Sequence, residues 1–182
     1  MIFLSTNLPD VIRIQPEIYK DQRGFFMETF QLKKFSGAGI DFEFVQDNHS
    51  SSKELTLRGL HYQITHTQGK LVRAVIGEIF DVAVDLRKSS PNFGKWVGAH
   101  LSAENKEQLW IPPGFAHGFL ALTARADVIY KTTDYFDPDG ERTIRWDDPN
   151  LAIDWPIPQD ATPLVSAKDA AGSSFKEAEV FV

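Results

Sequence analysis

The residues with chemistry to offer crowd into one stretch, Arg58-Gly59-Leu60-His61-Tyr62-Gln63, which leads through a short loop to Lys70-Leu71-Val72-Arg73. Cationic side chains and an imidazole, a group that titrates near neutrality, stand there beside a run that reads as buried strand. A histidine acting as a base needs a fixed tautomer, positive charge to hold the anion it creates, and a rigid platform beneath it. This stretch has candidates for all three. The same residues also suit a surface hairpin whose His and Arg are merely solvated, so the segment by itself leaves both readings open.

Composition narrows the partners. The chain has 182 residues, a net charge of −6 and a pI near 5.3. That length fits one domain spanning residues 1–182 and able to bury roughly 70% of its unfolded surface. An acidic balance argues against nucleic acid, so any phosphate must meet a local cluster of Arg and Lys. Cysteine is absent, which removes disulfides, thiolate catalysis and Cys-ligated zinc, and agrees with a reducing, cytoplasmic setting. Met1 to Leu8 is interrupted by Ser5, Thr6 and Asn7, and no apolar run approaches membrane-spanning length, so no membrane association is expected.

The elements that must position these residues read as many short strands. Val11 to Ile14 alternates until Pro16, and Asp21-Gln22-Arg23-Gly24 is a turn before the aromatic strand Phe25 to Phe30. Leu32 to Phe35 suggests a helical turn stopped by Gly37 and Gly39, and Phe42 to Val45 a return to strand. Leu71 to Ile76 and Ile79 to Leu86 flank Gly77-Glu78 and predict a half-buried antiparallel hairpin. Trp96 to Leu101, Gln108 to Ile111, Gly118 to Leu122 and Val128 to Thr133 repeat the theme, which points to a sandwich or barrel. After Tyr135 the chain turns Pro- and Asp-rich and predicts a tail wrapped over the sheets, closing with a helix within Ser166 to Phe175. Ser166 and Asp169 have the spacing of a helix-capping pair.

Neither GxxxxGK[ST] nor GxGxxG occurs, so a P-loop or Rossmann half is not expected. Pro112-Pro113-Gly114-Phe115-Ala116-His117 matches the P-x-G-x-x-H element of the cupin superfamily. Metal-binding cupins carry His-x-His and Glu at the companion element, where this chain reads His61-Tyr62-Gln63; two histidines alone make a poor metal site. Further elements follow in order: Arg58-Gly-Leu-His61-Tyr-Gln, Gly69-Lys70-Leu-Val-Arg, Gly77 to Arg87, Leu101-Ser-Ala-Glu-Asn-Lys, Ile111 to Phe119, Tyr130-Lys-Thr-Thr-Asp-Tyr135, Ile144-Arg-Trp-Asp-Asp-Pro149 and Ser166-Ala-Lys-Asp169. From about Pro9 to Ala170 the chain resembles the dTDP-4-dehydrorhamnose 3,5-epimerase family.

The resemblance implies a mainly β fold, a cupin-type antiparallel jelly-roll barrel with a few short helices and a C-terminal wrapping tail. It implies a homodimer acting on a dTDP-4-keto-6-deoxy sugar with no cofactor and no metal, by proton transfer at C3 and C5 beside the ketone. By that match His61 is the base, Asp169 orients it, Tyr130 is the acid and Lys70 holds the enolate oxygen. Substrate contacts fall on Arg23, Glu28, Gln46, Asp47, Asn48, Arg58, His117, Glu141 and Lys168, with Arg23 and Glu28 serving the partner's site. Read without the match, Asp169 is a helix-cap partner, Tyr130 a strand aromatic, Lys70 an exposed lysine and the rest solvated polar groups. The chain departs from the family's commonest form in a shorter Ile64–Gly69 loop and in Phe136, which stands where many members carry tyrosine. Related enzymes act at one carbon only, and a metal-dependent cupin enzyme or a non-catalytic sugar-nucleotide binding module are the other readings.

Overall fold

The alternation of apolar side chains is realised as strand after strand, with two short helices. The computed structural model describes Met1–Val182. The elements run β1 (Ile2–Ser5), β2 (Ile12–Gln15), β3 (Ile18–Asp21), β4 (Gly24–Met27), α1 (Leu32–Gly37), β5 (Gln46–Lys53), β6 (Thr56–Gln63), β7 (Lys70–Ile76), β8 (Glu78–Asp85), β9 (Trp96–Ser102), β10 (Gln108–Ile111), β11 (Phe115–Ala121), β12 (Arg125–Thr132), β13 (Glu141–Thr143), β14 (Leu164–Val165) and α2 (Ala167–Ala170). One sheet has the order β1-β2-β10-β7-β12-β5; the other is β13-β6-β11-β8-β9, with β14 added parallel to β6. The β3–β4 hairpin pairs with neither sheet.

The two sheets are held face to face by one core. Val72, Leu109, Ile111 and Val128 of the first meet Ile79, Leu101, Phe115 and Phe119 of the second. The result is jelly-roll-like as expected, but the sheets stack without closing into a barrel. The outer face of the second sheet is covered by the predicted tail, where Leu151 and Trp155 pack on Val82, Val84 and Leu120. On the first sheet's outer face, Phe35 of α1 and Ile40 bury Ile14, Leu71 and Trp110.

Three local expectations are corrected. The β7 and β8 runs form no hairpin: β7 pairs with β10 and β12, β8 with β11 and β9, and Gly77 carries the chain from one sheet to the other. Strand β8 is therefore buried on both faces, Asp81 and Asp85 included: Ala83 joins the core between the sheets and Asp81 meets His117 on that same side, while the tail covers Val82 and Val84 on the other. Phe42 to Val45 is not strand; Phe42 and Phe44 lie against Trp110, and pairing begins at Gln46 with the polar run Gln46–Lys53, which no apolar alternation announces. The closing helix spans Ala167–Ala170 alone, capped as expected by Ser166 Oγ, which accepts from the Asp169 N–H at 3.1 Å.

One glycine is required by the site's platform. Gly59 has φ +121°, and a Cβ there would lie 2.6 Å from Gly118 Cα and 2.7 Å from His117 O on the neighbouring strand. Gly59→Ala therefore meets both a disfavoured backbone region and immovable main chain. It is expected to lose about 3 kcal/mol in denaturant unfolding; a loss below about 0.5 kcal/mol would contradict the close approach.

Candidate active site

A regular strand would send Arg58 and His61 to opposite faces, since they are three residues apart. In β6 the register shifts by one residue, pairing Arg58 with Phe119 and His61 with His117 across β11. The extra residue turns both side chains into the same cleft between the sheets. Opposite them, period-two alternation does the positioning. Tyr130 pairs with Val72 on one side and Asn48 on the other, so Lys70, Tyr130, Gln46, Asn48 and Ser50 share the inner face of the first sheet. The cleft has a volume of about 280 Å³ and is walled at its rim by Phe136, Gln63, Gln68 and Glu141.

His61 meets the carboxylate that lies far from it in sequence. Its Nε2 is 2.6 Å from Asp169 Oδ1, and Asp169 Oδ2 accepts from the Gly59 N–H at 3.2 Å. A carboxylate only accepts, so Nε2 carries the hydrogen and Nδ1 is left as the free, basic nitrogen. Burial raises the Asp169 carboxyl, but the hydrogen bond and charge of His61 and the Gly59 N–H outweigh it and hold the group below its usual value. The cap expectation for Asp169 is thus met by its backbone, which leaves the side chain for His61.

Lys70 is buried, and burial pulls its ammonium down to about 8 against the opposing charges of Glu141 and Asp81. Its Nζ donates to His61 O at 3.4 Å. Burial raises the Tyr130 phenol, with Arg58 acting against it and Glu141 with it, so the group keeps its proton at neutral pH. Arg58 is aimed by β5, donating from Nε to Ser52 Oγ at 3.0 Å and from a terminal nitrogen to Ser51 O at 3.3 Å. The arrangement offers an oriented base, a protonated phenol across from it and a cation in the same cleft.

Of the residues expected from the sequence, Gln46, Asn48, Arg58, His61, Lys70, His117, Tyr130 and Glu141 line the cleft, and Asp169 stands behind His61. Asp47 does not: alternation turns it outward, where it accepts from Lys131 at 2.8 and 3.0 Å. Lys168 lies outside and pairs with Glu141 at 2.5 Å. Arg23 and Glu28 belong to the β3–β4 hairpin and its exit, where Arg23 pairs with Asp21 and Glu28 with Lys34, away from this protomer's cleft. Sequence reasoning passed over Gln63, which clasps the rim by donating to His66 O and Tyr135 O and accepting from the Asp137 N–H. It also passed over Ser50, Gln68, Phe119 and Asp81; extending the period-two pattern from Tyr130 across to β5 points to Ser50. No three His, Asp or Glu side chains converge as a metal's ligands would, and no helix is long and apolar enough to cross a membrane.

The family model described as dTDP-4-dehydrorhamnose 3,5-epimerase matches residues 5–177. The chain belongs to the dTDP-4-dehydrorhamnose 3,5-epimerase family. It is 58% identical to the Pseudomonas aeruginosa enzyme of that name over 175 residues, 96% of each chain. The Legionella pneumophila enzyme, solved in complex with dTDP-4-keto-L-rhamnose, superposes with a TM-score of 0.94 at 51% identity, covering 98% of this chain and 94% of that one. A 3'-monoepimerase from Streptomyces bikiniensis bound to dTDP-quinovose is more distant, at 33% identity and a TM-score of 0.88, covering 94% of this chain and 87% of that one. As a member of this epimerase family the chain is an enzyme of the isomerase class.

Proposed function

We propose that the protein epimerises C3 and C5 of dTDP-4-dehydro-6-deoxy-D-glucose, giving dTDP-4-dehydro-L-rhamnose, without metal or cofactor. The observation that carries this is the His61–Asp169 pair facing the same cleft as Tyr130 and Lys70. Both C–H bonds are acidified by the C4 ketone. His61 Nδ1 takes a proton, Lys70 stabilises the enolate oxygen, and Tyr130 returns a proton from the other face. Arg58 holds the diphosphate through its fork of donors, while Gln46, Asn48, His117 and Glu141 contact nucleoside and sugar. Action at both carbons is favoured over a single-carbon reaction by the higher identity to the 3,5-epimerases than to the monoepimerase. The cytoplasm is the setting that suits such chemistry and a cysteine-free chain. Incubation in heavy water with the dTDP-keto sugar should place deuterium at C3 and C5 by NMR. Protium retained at both positions would reject the reading, and deuterium at one alone would turn it into a monoepimerase.

Lys70 sets the expected pH dependence. If its ammonium holds the enolate, kcat falls as pH rises through about 8, and Lys70→Met removes that limb together with most of the activity. Stability has the opposite sign. Between about 8 and the unfolded value of about 10.4 the unfolded chain binds more protons at Lys70 than the native one, so that group's contribution to stability rises with pH. A rate that stays flat from pH 7 to about 9.5 would remove Lys70 from the reaction.

The functional unit proposed is a homodimer. Tyr19, Phe25 and Phe26 stand 55%, 56% and 70% exposed on a hairpin that joins neither sheet. Laid on a second copy, it buries those rings and brings Arg23 and Glu28 to the partner's cleft. Phe26→Asp is expected to shift sedimentation from dimer to monomer and to weaken substrate binding at least about tenfold. A wild-type chain that sediments as a monomer would overturn the dimer.

A further inference from the structure

We propose that Asp81 is a positioning residue of this site: it holds His117 in the tautomer whose free Nδ1 faces the bound sugar, and sets a negative charge beside Lys70. The proposal rests on the reading of the cleft as a sugar-nucleotide site. Asp81 is fully buried on β8, with Oδ1 2.7 Å from His117 Nε2 and Oδ2 without any partner. A buried carboxylate oxygen left unpaired is uncommon and costly. The one other buried side-chain polar atom without a partner is Ser50 Oγ, in a residue that lines the same cleft. One unmatched group thus lines the cleft, and the other stands directly behind the His117 that lines it.

Register makes the arrangement a second copy of the first. His117 and His61 are direct cross-strand partners, and each gives its Nε2 to a buried aspartate. By the same donor argument, Asp81 fixes hydrogen on Nε2 of His117 and leaves Nδ1 free. No protein group takes that Nδ1, and it is not among the buried atoms lacking a partner, so it opens on the cleft that His117 lines. An apolar residue would fill the space at Asp81 with less cost, but would let the ring turn and exchange tautomers.

The second role is electrostatic. Lys70 is surrounded by Glu141 from β13, Asp81 from β8, Arg58 and His61 from β6, His117 from β11 and Tyr130 from β12. Of these only Glu141 and Asp81 are carboxylates, and both favour the ammonium against its burial. Removing one leaves Lys70 easier to deprotonate.

The test is nitrogen-15 NMR of the resting, full-length enzyme, with the His117 signals assigned by their loss in His117→Gln. The wild type should show the Nε2–H tautomer of His117. Asp81→Asn should populate the Nδ1–H form, lower kcat about 10–100-fold with little change in KM, and move the basic limb of kcat to lower pH. A wild-type ring in the Nδ1–H form overturns the proposal, whether or not the variant folds. So does an Asp81→Asn enzyme with unchanged tautomer and pH limb. The spectrum requires no turnover, so failure of the heavy-water exchange would remove the catalytic reading while the tautomer still decides this one.

Discussion

His61→Asn is expected to abolish deuterium entry at both C3 and C5 and to lower kcat by about 10³–10⁴-fold, the range of a lost, oriented general base. The amide keeps the size and can still donate towards Asp169, so folding is expected to survive. Asn has no nitrogen that accepts a proton at neutral pH, Lys70 is an ammonium at pH 7, and Tyr130 keeps its phenolic proton; the one other free imidazole nitrogen in the cleft, Nδ1 of His117, is on the neighbouring strand and is assigned to holding the sugar. Loss of both exchanges together distinguishes one shared base from two separate ones. Exchange at one carbon persisting at the wild-type rate would show that His61 does not serve it, and exchange persisting at both would remove it from the mechanism.

Tyr130→Phe is expected to separate the two halves of the reaction. Proton removal by His61 does not require the phenol, so exchange at the first carbon should continue. Reprotonation from the opposite face does require it, so inverted product should fall by about 10²–10⁴-fold. The prediction follows from placement: Tyr130 is on the inner face of the first sheet, across the cleft from His61 on the second. Its aromatic ring packs on the core beside Val72 and Val128, which phenylalanine preserves, so stability should change by less than about 1 kcal/mol. Equal loss of exchange and inversion would show that the phenol acts before or during proton removal, and retained inversion would show that another group is the acid.

Much of the site was legible because strands impose a simple rule. Arg58, His61 and Lys70 crowd together within one stretch, and Tyr130 recurs at the inward phase of its own strand. The rule failed where it was broken or had no apolar signal to follow. Arg58 and His61 share a face only because β6 carries an extra residue opposite β11, which alternation cannot express. Strand β5 escaped notice because Gln46–Lys53 contains no apolar residue; it pairs with β12 along its length, and its inward side chains meet the cleft rather than the core. That same phase separates Asn48 from Asp47, adjacent residues with opposite fates. The hairpin expected at Gly77 failed for a different reason: a glycine turn between two strands has the same local sequence whether the chain folds back or steps to a facing sheet.

The sequence by itself determined the strand-rich class, the covering tail, the turn before Phe25 and the family, because these follow from local alternation, turn residues and ordered motifs. The family resemblance pointed Asp169 to His61, but no local pattern did, and only the tertiary structure revealed that Asp81 reaches His117. Asp169 lies 108 residues from His61, and Asp81 lies 36 from His117. Such pairings are set by strand order, register and which face the tail covers, and these long-range arrangements leave no mark on the residues nearby.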